Sequence, residues 1–197
     1  MSLKAKHPFS SPQRTSNRGQ SLIELLFVFA IAALLVAASL PDLGFMAAKH
    51  RVDVLAETFE RLIVTTRSHA ITGQKIASLC PYGENSCGDD WSKGVILFTD
   101  QNNNGEIDDK DQMLEAKQWA ENETTIQWRA SAGRNYLRYS PTGMARQFGK
   151  FHLCNINDDK RLNRSLVVNR QGRVKRYRDS DDDGIVDDGK GNTPQCG

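Results

Sequence analysis

The chain has 197 residues, of which 26 are basic and 24 are acidic, giving a formal net charge of +2. It is too short for several large domains and too nearly neutral to single out an acidic or a basic partner. The charges are unevenly distributed, however. Residues 160–178 hold eight basic side chains and no acid, whereas residues 179–188 hold six acids and no base.

The first 40 residues are typical of a segment sent to a membrane. Residues 1–19 hold four basic side chains and no acid, which leaves 22 basic and 24 acidic residues, a net charge of −2, in the remainder. In residues 20–40 the only ionisable side chain is Glu24, and about 20 apolar residues in a helix cross a bilayer. Glu24 either lies inert at the membrane boundary or is functional, because a carboxylate there costs about 2.5–3.5 kcal/mol. Cleavage behind the apolar run, at 36–39, and cleavage ahead of it, after Gly19, are alternatives.

The residues around Gly19 carry a family resemblance. Gly19 followed by Gln20-Ser21-Leu22-Ile23-Glu24-Leu25-Leu26 resembles the signal of type IV pilins and type II secretion pseudopilins, except that Gln20 stands where phenylalanine is usual. The resemblance implies cleavage by prepilin peptidase between Gly19 and Gln20, N-methylation of Gln20, and pairing of Glu24 with the terminal amine of a neighbouring subunit. An ammonium and a carboxylate lower each other's cost in apolar surroundings, so Glu24 is expected to set the register of subunit addition.

The rest of the chain predicts one helix followed by strands. Apolar residues recur at three- and four-residue steps from Val52 to Thr66, and Gly73 is a plausible end of this helix. Eight strand-like runs follow, the last two as a hairpin around Gly172: 75–80, 94–99, 113–119, 124–129, 136–140, 148–154, 165–169 and 173–178. We therefore predict an α+β fold in which a long N-terminal helix, transmembrane and then amphipathic, precedes an antiparallel β-sandwich head.

This order of elements is similar to that of the FimT, FimU and GspH group of minor pilins and pseudopilins. The matching stretches of the head are Trp91–Asp100, Tyr139–Gly143 and Leu166–Arg173. The expected organisation is a leader at 1–19, an apolar helix at 20–40, an amphipathic helix at 41–73, a β-strand head at 74–178 and an acidic tail at 179–197.

The resemblance implies a minor type IV pilin with one pass through the bacterial inner membrane and its head in the periplasm, which later joins a pilus at the cell surface. Its expected partners are prepilin peptidase, other pilin subunits and the pilus assembly platform. A GspH-like pseudopilin of a type II secretion system is the alternative. No nucleophile–base pair and no phosphate loop is evident, and His50, His69 and His152 are scattered, so we expect no catalytic residues.

The four cysteines are expected to form disulfides, because a pilin-like head faces an oxidising compartment. Cys80 and Cys87 bracket a loop rich in turn-forming residues, which favours a local bridge and leaves Cys154 to pair with Cys196. A zinc site is the competing interpretation, but neither a Cys-x-x-Cys motif nor a paired histidine supports it.

Two stretches fit the start of a calcium loop, with oxygen ligands at alternate positions followed by glycine. The first, Asp100–Gly105, is better explained as a hairpin turn. The second begins at Asp179, and its candidate ligands are Asp179, Asp181, Asp183 and Asp187. Neither has the closing glutamate at position twelve, so a solvated acidic tail is the alternative for the second. Apart from calcium we expect no cofactor.

The basic hairpin is a candidate surface for double-stranded DNA, with candidate residues Arg170, Arg173, Lys175, Arg176 and Arg178. Clustered cations on a rigid element neutralise several phosphates together, and Tyr177 offers a surface on which a base can stack. Gly172–Arg176 also resembles the Gly-Arg-x-Arg-Lys element of FimT proteins that act as DNA receptors, with the last two basic residues exchanged. A solvated basic face is the alternative, and the acidic tail is placed to screen it.

Overall fold

The computed structural model describes residues 20–39, 43–84, 86–120 and 123–187, together with Cys196. The expected leader with Gly19 lies outside these residues. The chain divides into two compact units, residues 1–43 and 44–197. The first contains the apolar helix, and the second contains nearly all of the second helix and every strand.

Helix α1 spans Leu22–Ser39 and consists of the apolar run. Its described side chains, at 22–37, are exposed, including the large apolar ones: Leu22, Ile23, Leu25, Leu26, Phe27, Val28, Phe29, Ile31, Leu34, Leu35 and Val36. Among the described residues, no helix combines the length with the apolarity that a bilayer crossing demands. The transmembrane assignment of residues 20–40 stays a prediction.

Helix α2 spans Leu43–Gly73 and ends at the predicted glycine. One face is buried, at the three- and four-residue spacing that the sequence shows: Val52, Ala56, Phe59, Leu62, Ile63, Thr66 and Ala70. Thr66 is the polar member of this face, and its hydroxyl donates to the carbonyl of Leu62 at 2.7 Å. The amphipathic part of the predicted helix is therefore an ordinary core-facing helix.

Among the described residues, eight strands follow in the predicted order. They are β1 Ala77–Pro81, β2 Gly94–Thr99, β3 Gln112–Gln118, β4 Thr124–Ala130, β5 Leu137–Tyr139, β6 Gly149–Asn155, β7 Arg164–Val168 and β8 Val174–Arg176. Short 3₁₀ turns at Trp91–Lys93 and Lys160–Leu162 precede β2 and β7. The predicted number and sequence of strands is confirmed.

The strands form two antiparallel sheets, sheet 1 in the order β3-β2-β1-β5 and sheet 2 in the order β4-β6-β7-β8. Buried side chains from α2 and from both sheets make one cluster, to which Phe59, Leu97 and Phe151 belong. Alternate residues of a strand face opposite sides, so the residues between these core positions lie on the far side of each sheet. That side of sheet 2 is called its outer face. The α+β prediction with antiparallel sheets is confirmed.

Two turns and one arginine join the ends of the sheets to α2. Arg67 of α2 donates from Nε to the carbonyl of Gly143 at 2.9 Å and from Nη2 to that of Gln171 at 3.4 Å. Gly172 has a φ of +79° and packs directly on the Gly143 carbonyl. Two of the stretches that resemble the pilin group, at 139–143 and 166–173, therefore meet here and hold the β7–β8 hairpin in place.

We predict that Gly172→Ala destabilises the fold by at least about 2 kcal/mol, because the residue would adopt a left-handed conformation and its Cβ would collide with the Gly143 carbonyl. Urea unfolding of the purified chain measures the loss. Gly133→Ala is the matched control, since Gly133 has a φ of +61° but no atom near its added Cβ. Equal losses in the two variants would show that the close contact contributes nothing.

Candidate functional site

The first candidate site is the N-terminal end of α1. Gln20 and Glu24 are both exposed, and Glu24 lies in the first helical turn, where the free backbone N–H groups favour a carboxylate. Gly19 lies outside the described residues. The structure thus shows Glu24 as an accessible charge at one end of an exposed apolar helix.

The structure contains two disulfides, Cys80–Cys87 and Cys154–Cys196, with Cα–Cα distances of 5.6 and 5.8 Å. The first closes the short loop after β1. The second attaches the acidic tail to β6. Cys154 and Lys150 are four residues apart in β6, so their side chains project to the same side of the strand, away from the core. This attachment therefore lies on the outer face of sheet 2.

Part of the predicted basic hairpin lies on this outer face. In neighbouring strands Arg129 is opposite Lys150, Lys150 is opposite Val167, and Val167 is opposite Lys175. Residues directly opposite each other in antiparallel strands project to the same side. Three cations from β4, β6 and β8 therefore lie in one row across sheet 2.

An aromatic side chain adjoins this row. The ammonium groups of Lys150 and Lys175 lie 5.8 and 5.3 Å from the centre of the Tyr177 ring. Arg173 is exposed two residues before Lys175, and its backbone N–H donates to the Asn169 side chain at 2.9 Å. Arg170 is exposed in the same turn. This set combines clustered positive charge with a stacking surface on a hydrogen-bonded framework.

The other two predicted basic residues lie elsewhere. Arg176 is opposite the buried Leu166, and its Nε lies 3.8 Å from a carboxylate oxygen of Glu60 on α2. Arg178 and Arg176 both line a cavity beside α2. The predicted cluster of five is therefore divided between two surfaces. The outer face also includes Arg129 and Lys150, which the sequence analysis did not identify. Only the pairing register of the strands shows that these two residues lie beside the hairpin.

The first acid-rich loop, at 100–111, is held by the protein's own groups. The Asp100 side chain is fully buried, and it accepts hydrogen bonds from Ser78 and from the backbone N–H groups of Asn104 and Gly105. Arg138 Nη1 lies 3.3 Å from Asp100 Oδ2 and donates to the Asn103 carbonyl at 2.8 Å. A guanidinium thus compensates the carboxylate at the first loop position, as expected for a structural hairpin turn.

The second loop has a different charge balance. Carboxylate oxygens of Asp179, Asp181 and Asp183 lie within 4.8 Å of one another. Asp187 is buried and accepts instead from the backbone and hydroxyl of Ser180. A hydrogen bond from the backbone N–H of Asp183 lowers the pKa of Asp181, but desolvation and the carboxylates of Asp183 and Asp187 together raise that pKa above its ordinary value. Three of the four predicted ligands are therefore brought together.

Comparison with protein families gives two matches. A family model described as type II transport protein GspH matches residues 55–172, and one described as the prokaryotic N-terminal methylation motif matches residues 14–40. Comparison with curated proteins gives no match.

Solved structures give further similarities. The type IV minor pilin FimU of Pseudomonas aeruginosa matches in one crystal form with 17% identity, a TM-score of 0.52, and coverage of 66% of this chain and 90% of FimU. A second crystal form gives 16% identity, a TM-score of 0.48, and coverage of 68% and 92%. The minor pseudopilin EpsH of the type 2 secretion system of Vibrio cholerae gives 7% identity, a TM-score of 0.43, and coverage of 64% and 94%. The first match shows a shared fold.

The calcium prediction for the second loop leads to a specific outcome. We expect calcium titration of the full chain in nonionic detergent to give a binding heat that Asp181→Asn with Asp183→Asn weakens by at least about tenfold, because affinity follows the number of charged ligands. Binding should weaken as the pH falls toward the raised pKa of Asp181, since protons then compete with the ion. Asn102→Ala in the first loop is the control and should leave the heat unchanged. No calcium heat, or a heat indifferent to the aspartate changes, contradicts the prediction.

Proposed function

Because the chain belongs to the GspH family of type IV minor pilins and pseudopilins, we propose that it is a minor type IV pilin. The observation that supports this most is that one chain carries both signatures. The methylation motif covers residues 14–40, and the family model covers 55–172 of the head. The proposed role is structural, as a filament subunit without a catalytic site.

Assembly is proposed to proceed through the inner membrane. Prepilin peptidase cleaves between Gly19 and Gln20, Gln20 is methylated, and the segment 20–40 holds the subunit in the membrane with its head in the periplasm. The assembly platform then transfers the subunit into a pilus, where its apolar side chains contact those of other pilin subunits. The exposed apolar surface of α1 supports this proposal, because water is a poor solvent for it.

Glu24 is proposed to act in this transfer. Its carboxylate pairs with the freed amine of Gln20 in the adjacent subunit, because both charges cost less together in apolar surroundings. The exposed position of Glu24 in α1 supports a role between chains.

The alternative is a secretion pseudopilin, which the description of the matching family model favours. Deletion of the gene distinguishes the pilin function from the pseudopilin function. Loss of surface pili with normal secretion of exported proteins supports the pilin, and the reverse result supports the pseudopilin.

We predict that Glu24→Ala leaves processing and the head fold intact but reduces entry into filaments at least about tenfold, since the lost pair is worth more than 1.4 kcal/mol in apolar surroundings. Mass spectrometry of the mature N-terminus should give Gln20 as the first residue in both proteins. Immunoblots of sheared pili compare their incorporation. Glu57→Ala, an exposed glutamate of α2, is the control. Normal incorporation of the Glu24→Ala protein would contradict the assembly role of Glu24. A mature N-terminus in the region 36–39 would contradict the pilin proposal itself.

A second proposed role is binding of double-stranded DNA by the outer face of sheet 2. Arg129, Lys150, Arg173 and Lys175 supply the charge, and Tyr177 supplies the stacking surface. The shared row of β4, β6 and β8 supports this role, because cations on a rigid sheet release phosphate counterions together. The acidic loop that follows β8 opposes it and limits the affinity.

We predict that the full chain in nonionic detergent retards duplex DNA without regard to sequence, and that Arg173→Glu with Lys175→Glu weakens binding by about tenfold or more at low salt. Mobility shift over a salt series measures both effects. The control reverses two exposed arginines outside this surface, Arg134→Glu with Arg146→Glu, and so changes the net charge equally. If both pairs weaken binding alike, the interaction is one of net charge and the proposed face has no special role.

A further inference from the structure

A cavity of about 480 Å³ lies between α2, the Lys160–Leu162 turn, the end of β8 and the loop at 179–187. Five basic side chains line it: Lys49, Arg161, Arg164, Arg176 and Arg178. They come from separate parts of the chain, so no single stretch of sequence reveals this group. Its floor is formed by the buried Arg164.

The Arg164 side chain is held in place by hydrogen bonds, and one of its nitrogen atoms has no acceptor among the described residues. Only 5% of its side chain is exposed, and its Nε donates to Asp53 at 2.6 Å. Its Nη1 donates to the carbonyls of Arg161 and Asn163 at 2.9 and 2.8 Å. Among the described residues, no acceptor lies within hydrogen-bonding distance of Arg164 Nη2. This atom is nevertheless not fully buried. The two N–H groups of Nη2 are therefore open to the cavity that Arg164 lines.

The charges around the cavity limit what it can hold. Asp53, Glu57 and Asp179 also line it, and Asp53 is engaged by Arg164. Arg161 is held by Asp159, and Arg176 lies near Glu60. No salt bridge among the described residues involves Lys49 or Arg178. The unmatched donors are thus Arg164 Nη2, Lys49 and Arg178, which suit one small oxyanion and not a polyanion.

We propose that this cavity binds a single phosphate group. The N–H groups of Arg164 Nη2 and the guanidinium of Arg178 can each donate charge-assisted hydrogen bonds to oxyanion oxygens. Donors here come from the cavity floor, from α2 and from the end of β8, which suits a tetrahedral phosphate better than a planar carboxylate. A bound phosphate would bridge α2 to the end of sheet 2. Tyr177 adjoins both surfaces, but Arg173 and Lys175 do not line the cavity. The phosphate site therefore stands whether or not the outer face binds DNA.

Inorganic phosphate is the probe that tests this site. Titrated into ¹⁵N-labelled full chain in nonionic detergent at constant ionic strength, it should shift the backbone amides of Tyr177, Arg178 and Gly184 with a dissociation constant on the order of 1 mM. Acetate should bind at least about fivefold more weakly, because it is planar and carries one charge. A short duplex DNA should leave the amides of Arg178 and Gly184 unshifted, because the cavity suits one small oxyanion. Shifts of these amides would identify a phosphate diester as the source of the group instead.

Arg178→Gln should weaken phosphate binding by about tenfold, since it removes a charged hydrogen-bond donor from the cavity. Arg178 is exposed, so this change leaves the core intact. Arg173→Gln, on the outer face, is the matched control and should leave phosphate binding unchanged. Shifts outside the cavity, equal binding of acetate, or indifference to Arg178→Gln would overturn the site. Loss of DNA binding in Arg173→Glu with Lys175→Glu, with phosphate binding retained, separates the two surfaces.

Discussion

The packing of Phe59 between the two sheets holds the second unit together. Its ring lies edge-on to Trp91 and Phe151, with ring centres 5.8 and 4.7 Å away, and each such contact contributes about 0.5–1.5 kcal/mol beyond the buried area. Phe59 belongs to α2, Trp91 precedes β2 in sheet 1, and Phe151 lies in sheet 2. One side chain therefore joins the helix to both sheets. Arg164 and Arg176 reach carboxylates on α2 because this packing fixes the helix beside sheet 2.

Local pattern was sufficient to predict the elements but not their pairing. The strands are marked by short runs with apolar residues between turn formers, and the end of α2 is marked by Gly73. Adjacent pairs such as β7 and β8 also follow from their short turn. The pairing of β1 with β5 and of β4 with β6 joins strands that are distant in sequence. No local signal encodes it, so Arg129 and Lys150 could not be assigned to the outer face.

The two acid-rich loops show the same limit for charge. Asn103 and Gly105 in the first loop have φ values of 64° and 82°, and Asp182 and Gly184 in the second have 60° and 84°. The repeated spacing of small and oxygen-bearing residues thus predicts backbone shape. It does not predict which loop is already neutralised, because the compensating Arg138 comes from β5, a strand outside either loop.

The Cys154–Cys196 bridge also has a mechanical consequence. It closes a covalent ring over a sequence separation of 42 residues, and this ring contains β7 and the short edge strand β8. In the chain-entropy model a ring of this size lowers the conformational entropy of the unfolded chain and so stabilises the fold by about 4 kcal/mol. The chain that follows β8 is therefore attached covalently to β6, an interior strand. If the short edge strand β8 detaches from β7, the ring limits how far this part of the chain can move away from the sheet.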